Sequence, residues 1–345
     1  MTAERKDGNK KMSIILECIR TVGRGERGRK PLSEEQAFAV MDAYLSGQEN
    51  QHLDAIGDDQ MAMLMMLIRV QNETNAEIAG FVKAFQSRVP NLGADIDWPC
   101  YAGKRVSDNG SDQPWHGLAA KILSNNGYKV LLHGYKDVAS GRVHIEDYLE
   151  QLAIPLAQSP DHAKKLMEEY NIAYLPLSNF ASIAQTMIGW KSRYGLRTPI
   201  NTVVRALNPG GARLGVRGSF HPGFQQLHAE VDQDIDSKSL SVISFKGQNG
   251  ESEYNPKVSQ TVWLSSEKGV ESFYWTERLL TEVSLPKASL LSGELEGDVK
   301  IQMANSVISS MAAILFAETH DQEIAYQRAV EYWDQNNMLI VGTNN

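Results

Sequence analysis

Between residues 12 and 90 apolar positions recur at helical spacing and short polar turns separate the runs, with no alternation of the kind a half-buried strand needs. In SEEQAFAVMDAYLSG, Ser33 and Gln36 stand in capping-box spacing, Phe38, Met41, Tyr44 and Leu45 fall on one face, and Gly47 offers a stop. A second apolar helix is predicted over 58–69, and Thr74 with Glu77 forms another capping box ahead of IAGFVKAF. Past Pro99 the pattern changes. The helical stretch HGLAAKILSNNG leads into KVLLHG at 129–134, a short buried-strand candidate, and further strands are predicted at 172–177, 214–220 and 241–247. Two helices interrupt this series, one beginning at Ser159 with Pro160 in its first turn and one over about 179–194. Two more close the pattern at 298–318 and 322–335, where VISSMAAILFA is nearly all apolar and belongs in an interior. Helix then strand, repeated, is the signature of an α/β layer on a mostly parallel central sheet. The expected division is a helical domain over 1–93, completed by the helices near 159–194, and an α/β domain over 94–345. No internal repeat or low-complexity tract interrupts it.

With 345 residues, 42% of them hydrophobic, the chain can bury a large core. The run MAMLMMLI at 61–68 is far too short to span a bilayer, and the polar opening MTAERKDGNKKM is unlike a secretory leader, so a cytoplasmic protein without a membrane partner is expected. Cys18 and Cys100 make neither a disulfide framework nor a metal-ligand spacing and read as reduced thiols. The histidines are scattered, with no two at a metal-ligand helical spacing, so no zinc site is assigned. A net charge of −8 argues against a protein that coats nucleic acid with its whole surface, and any anion site must be a local patch.

One such patch is legible. From Tyr170 to Ala229, roughly sixty residues, there is no Asp or Glu, yet Lys191, Arg193, Arg197, Arg205, Arg213 and Arg217 lie there. On the order of seven acids would be expected at the chain average. Removing carboxylates leaves guanidinium forks available to phosphate. The plainer explanation is burial, which PINTVV at 199–204 suggests for part of the span.

At LRTPINTVVRALNP (196–209) and GVRGSFHPGF (215–224) the chain resembles glycosyltransferase family 3, the family of anthranilate phosphoribosyltransferases and nucleoside phosphorylases. RGERGRKPLSEEQAF, RVQNET at 69–74, Leu131-Leu132-His133-Gly134 and SFKGQNGESEYNP at 244–256 follow in the order the family requires. The resemblance implies a small helical domain packed on a larger α/β domain, a ligand cleft between them, and a homodimer formed through the helical domain. It also exposes departures. The family's Gly-Thr-Gly-Gly-Asp pyrophosphate loop corresponds to Cys100-Tyr101-Ala102-Gly103-Lys104-Arg105, and its Lys-His-Gly-Asn-Arg motif to Leu132-His133-Gly134-Tyr135-Lys136. Its magnesium-holding Asp-Glu pair becomes Gly250-Glu251, and a Gly-Pro turn becomes Val204-Arg205.

These losses resemble a divergent branch of the family, the YbiB type, whose members lack the biosynthetic activity and bind nucleic acid. Binding of DNA or RNA without base readout, along a basic groove and without a cofactor, is therefore expected. Phosphate contacts are expected from Arg24, Arg29 and Lys30 in a glycine-punctuated loop, from Lys104, Arg105, Lys136 and Arg142 at the altered motifs, and from the acid-free set named above. Tyr101, Trp115, Tyr135, Trp190, Tyr194 and Phe220 lie among these charges as stacking candidates, with Trp190 and Phe220 better read as core. Tyr101, Ala102, Gly103, His133 and Gly134 mark the degraded pyrophosphate loop. No catalytic residue is assigned, and Glu251 is a weak candidate metal ligand. The alternative is a phosphoribosyltransferase that takes phosphoribosyl pyrophosphate and a nitrogen-containing aromatic acceptor, with magnesium required only in that case.

Overall fold

The computed structural model describes residues 13–50, 55–236, 238–281, 283 and 297–336. The opening dodecapeptide read above as polar lies outside them. The chain begins with α1 (Ile14–Val22), α2 (Glu34–Asn50), α3 (Asp58–Val70) and α4 (Asn75–Gln86). Both capping boxes form: Gln36 N–H donates to Ser33 Oγ at 3.3 Å, and Thr74 N–H donates to Glu77 Oε2 at 2.9 Å. Gly47 does not end α2. It lies inside the helix where an added Cβ would meet Ala55 Cβ at 2.8 Å, so its value is close approach rather than termination.

The α/β part follows as β1 (Ile96–Cys100), β2 (Lys104–Arg105), α5 (Trp115–Asn125), β3 (Val130–Gly134), β4 (Arg142–Val143), α6 (Pro160–Tyr170), β5 (Ile172–Pro176), α7 (Ser182–Tyr194), α8 (Ile200–Val203), β6 (Leu214–Ser219), α9 (Phe224–Ile235), β7 (Ser241–Lys246), β8 (Gln260–Ser266), β9 (Gly269–Trp275), α10 (Gly297–Thr319) and α11 (Gln322–Asn336). The main sheet has the order β5-β3-β1-β6-β7-β8-β9. It is parallel from β5 to β7, and β8 and β9 add an antiparallel edge. Helices α5, α10 and α11 cover one face, where Trp98, Leu132, Val216 and Phe245 meet Met311 and Trp333. On the other, α9 lies between the sheet and α4. Of the two helices near 159–194, α7 buries Met187 and Trp190 among the side chains of α2 and α3, whereas α6 packs Ala163 and Met167 on β5 and β3. The fold class is thus as expected: a helical layer on an α/β domain with a mostly parallel sheet. Among the described residues α10 alone is long and apolar enough to cross a membrane, and 83% of its apolar window is buried inside the fold.

Candidate functional site

Strands β1, β3, β6 and β7 all end at one rim, the edge at which open parallel sheets present their ligand crevices. Above it, α7 and the 195–205 segment of the helical layer face the 101–103 and 135–142 loops across a cavity of about 620 Å³ lined by Tyr101, Tyr135, Lys136, Arg142, Ile188 and Arg197. Two smaller spaces adjoin it, and Arg197 lines all three. Arg105, Arg142, Phe220 and His221 line one of them, and Arg69, Arg205 and His228 line the other.

Arg197 has no hydrogen-bond or ion-pair partner among the described residues. Burial and the Arg142 charge pull its pKa below the ordinary arginine value. Asp137 on the wall of the large cavity pulls the other way, and Glu73 in an adjoining space is paired with Arg69 at 2.9 Å, so it is the surplus of guanidinium groups around Arg197 that favours an anion. Arg142 itself donates to the carbonyls of Ala102, Gly103 and Asn249 at 3.0–3.2 Å, which fixes its head at the cavity wall. Arg205 donates to the Asn201 carbonyl and lies 5.9 Å from the Tyr101 ring centre.

Of the other expected cations, Lys136 and Lys191 line the large cavity and the rest lie elsewhere or in the interior. Arg217 is fully buried, with Asp97 at 2.6 Å and Asp232 at 3.0 Å, so it is part of the interior and unavailable to a ligand. Lys104 is equally buried: its ammonium donates to Glu253 Oε1 and the Gln113 carbonyl, both at 2.7 Å, and sits 4.2 Å from the Trp115 ring centre. Arg213 precedes β6, at the end of the sheet away from the cleft. Lys136 pairs with Asp147, Lys191 lies 3.6 Å from Asp137, and Arg193 stacks on exposed Tyr194. Arg24, Arg29 and Lys30 are exposed between α1 and α2 and line none of the cleft cavities. Trp190 is core, but Phe220 is 47% exposed at the rim, which corrects the expectation that it is core.

The loop that matches the pyrophosphate motif holds an anion of its own. Glu251 Oε1 accepts from the N–H groups of Ala102, at 2.5 Å, and Gly103. Gly103 keeps a left-handed φ of 65°, and a Cβ there would lie 2.8 Å from the His144 ring. Below it, Tyr101 Oη and His133 Nδ1 are 2.8 Å apart, and His133 Nε2 lies 3.0 Å from Asp97 Oδ1, so a buried polar chain runs from Tyr101 to Arg217 and Asp232. Gly134 is required by closeness: a Cβ would stand 2.2 Å from the Cys100 carbonyl oxygen.

Magnesium, which the family resemblance implies, does not fit these residues. It demands near-octahedral oxygen ligands. Glu253 is committed to Lys104 and His116, and Glu251 gives one oxygen to the loop, so the two carboxylates are not jointly available.

Residues 16–89 match the model of the glycosyl transferase family helical bundle domain. An anthranilate phosphoribosyltransferase of Geobacillus stearothermophilus is 30% identical over 221 residues, covering 64% of this chain and 61% of that protein. That of Geobacillus kaustophilus is 25% identical over 312 residues, covering 86% of this chain and 87% of that protein. The anthranilate phosphoribosyltransferase of Thermus thermophilus shares the fold at a TM-score of 0.68 and 20% identity, over 94% of this chain and 96% of that one. That of Saccharomyces cerevisiae, solved with phosphoribosyl pyrophosphate and magnesium, does so at 0.66 and 15% identity, over 94% of each chain.

These likenesses overturn the expectation of a nucleic-acid binder. The similar proteins are phosphoribosyltransferases, and the cations that were to form a continuous basic groove do not join into one: some line the cleft cavities, while Lys104 and Arg217 are interior, Arg213 is at the far end of the sheet and Arg24, Arg29 and Lys30 are on a detached loop. The helical layer and the relatives agree: the chain carries the glycosyl transferase family helical bundle domain and is anthranilate-phosphoribosyltransferase-like in sequence and fold.

Proposed function

We propose that the chain is a transferase for a phosphorylated pentose donor of the phosphoribosyl pyrophosphate type and a nitrogen-containing aromatic acceptor. The observation that carries this reading is the unpaired Arg197 guanidinium at the junction of three cavities, with Arg142 and Arg205 close by. In the reaction the acceptor nitrogen forms a bond to the sugar C1 as the C1–O bond to pyrophosphate breaks; the electron pair leaves with pyrophosphate, and the acceptor proton passes to solvent. Charge develops on the departing phosphates, and fixed guanidinium groups meet it without reorganisation. Arg197 and Arg142 do here what a backbone cradle and a metal do elsewhere, because the Ala102 and Gly103 N–H groups are already filled by Glu251. Tyr101, Tyr135 and Ile188 give the large cavity apolar walls suited to a planar acceptor.

Calorimetric titration with phosphoribosyl pyrophosphate in EDTA tests the donor half, and pyrophosphate release across a panel of aromatic amines and nitrogen heterocycles tests the acceptor half. Saturable donor binding that Arg197→Ala weakens supports the reading. Absence of donor binding at millimolar concentration overturns it.

A homodimer through the helical layer is proposed from its exposed apolar side chains: Leu16 on α1 and Met63 on α3 are 42% and 56% exposed on helices that pack together. Light scattering on Met63→Glu should report a monomer; an unchanged mass would dismiss this interface. Two buried free thiols, Cys18 and Cys100, fit a reducing cytoplasm.

A further inference from the structure

Next to the cleft, and independently of the donor reading, three side chains distant in sequence converge in the interior. Cys100 ends β1, His116 lies in the first turn of α5, and Glu251 follows the 248–250 turn. One ligand atom of each lies within 4.8 Å of the others, and none of the three residues is more than 3% exposed. Two of those side chains carry an orphaned atom: His116 Nε2 and Glu251 Oε2 have no hydrogen-bond partner among the described residues. Buried polar atoms are rarely left so in a native fold, and each one asks for an occupant.

The groups behind the three side chains are arranged to hold them. His116 Nδ1 lies 3.1 Å from Glu253 Oε2. Since a carboxylate only accepts, Nδ1 carries the proton and Nε2 presents its lone pair. Glu253 is in turn fixed by Lys104 and by the His116 backbone N–H at 2.9 Å. Glu251 Oε1 is held by the Ala102 and Gly103 N–H groups, which turns Oε2 inward. A carboxylate behind a histidine and backbone donors behind a ligating carboxylate are the supports that orient metal ligands.

We infer that Cys100, His116 and Glu251 supply three ligands of a buried zinc-binding site. One sulfur, one imidazole nitrogen and one carboxylate oxygen suit zinc, which takes four ligands tetrahedrally; magnesium and calcium prefer oxygen alone. Zinc bonds of about 2.0–2.3 Å put tetrahedral ligands about 3.3–3.8 Å apart, so side-chain torsions must bring the three atoms closer by about 1 Å. On binding, the thiol proton leaves to solvent and the sulfur coordinates as thiolate.

The test uses the full chain grown in cobalt-supplemented medium, so that the ion is present as the interior closes. Cobalt stands in for zinc and reports sulfur ligation through a thiolate-to-metal charge-transfer band in the near ultraviolet. One equivalent of cobalt showing that band, displaced by zinc, is the expected result. Cys100→Ser should abolish the band, and Glu251→Gln, which keeps an oxygen acceptor for the loop, should weaken zinc binding at least tenfold. A folded wild-type chain that holds no metal, or holds it without the sulfur band, overturns the assignment. Should the variants fail to fold, the wild-type spectrum and metal content decide the question alone.

Discussion

Lys104 and Glu253 meet across 149 positions of sequence as a fully buried ion pair, Nζ to Oε1 at 2.7 Å, with the ammonium above the Trp115 ring. Burial alone would raise the Glu253 carboxyl, but Lys104 and His116 outweigh it and hold the pKa below the usual glutamate value. Removing one partner strands a charge without solvent. Lys104→Met should cost about 3–5 kcal/mol in urea unfolding, and Lys104→Met combined with Glu253→Gln should recover part of it. A single variant as stable as the parent would show that the pair is unimportant.

Asp232 gives a pH dependence of opposite sense to a surface carboxylate. Burial pushes its carboxyl up from 3.8 to about 6 despite the Arg217 guanidinium beside it. With the native value above the unfolded one, the folded state binds more protons between them. The contribution of Asp232 to stability is therefore fully present below about pH 4 and is lost as pH rises toward about 6. Asp232→Asn should remove that slope from the stability curve measured over this range, and an identical slope in the variant would refute the assignment.

Arg197→Ala should weaken phosphoribosyl pyrophosphate binding about tenfold to a hundredfold, since a hydrogen bond to a charged group contributes about 1.5–3 kcal/mol. Arg213→Ala, at the other end of the sheet, should leave the affinity unchanged. Equal losses in both would point to diffuse attraction and not to a site.

Gly103→Ala forces a side chain into a left-handed backbone position and against the His144 ring at 2.8 Å. The backbone component alone is about 1–2 kcal/mol. A fall in chemical stability of at least that size is expected, and none would mean that the loop relaxes freely.

Much of the architecture could be read from periodicity because the helices from 34 to 86 and the strands ending at Gly134 and Lys246 each carry their own local pattern. Strand β1 could not. It holds Asp97 and Pro99 in a central position, and both make sense only in three dimensions: Asp97 meets Arg217, and Pro99 lies beyond the last β1–β6 pair, where no ladder donor is needed. The β8–β9 hairpin and α9 likewise went unread. The acid-free span was real but misleading, since Arg217 takes its partners from Asp97 and Asp232, on either side of the window that was counted. Charge counting in a segment detects a lack of local partners and is blind to distant ones. Cys100, His116 and Glu251 share no spacing at all, and only the crossing of β1, α5 and the 248–250 turn makes them neighbours.

Glu251 closing on the Ala102 and Gly103 amides, across some 148 positions, also bears on the order in which the molecule assembles. Two amides of the 101–103 turn take their acceptor from the segment after β7, so they are covered only once that long loop has closed. Until then the turn is a stretch of open amides, and its protection from deuterium exchange would act as a clock for the completed rim.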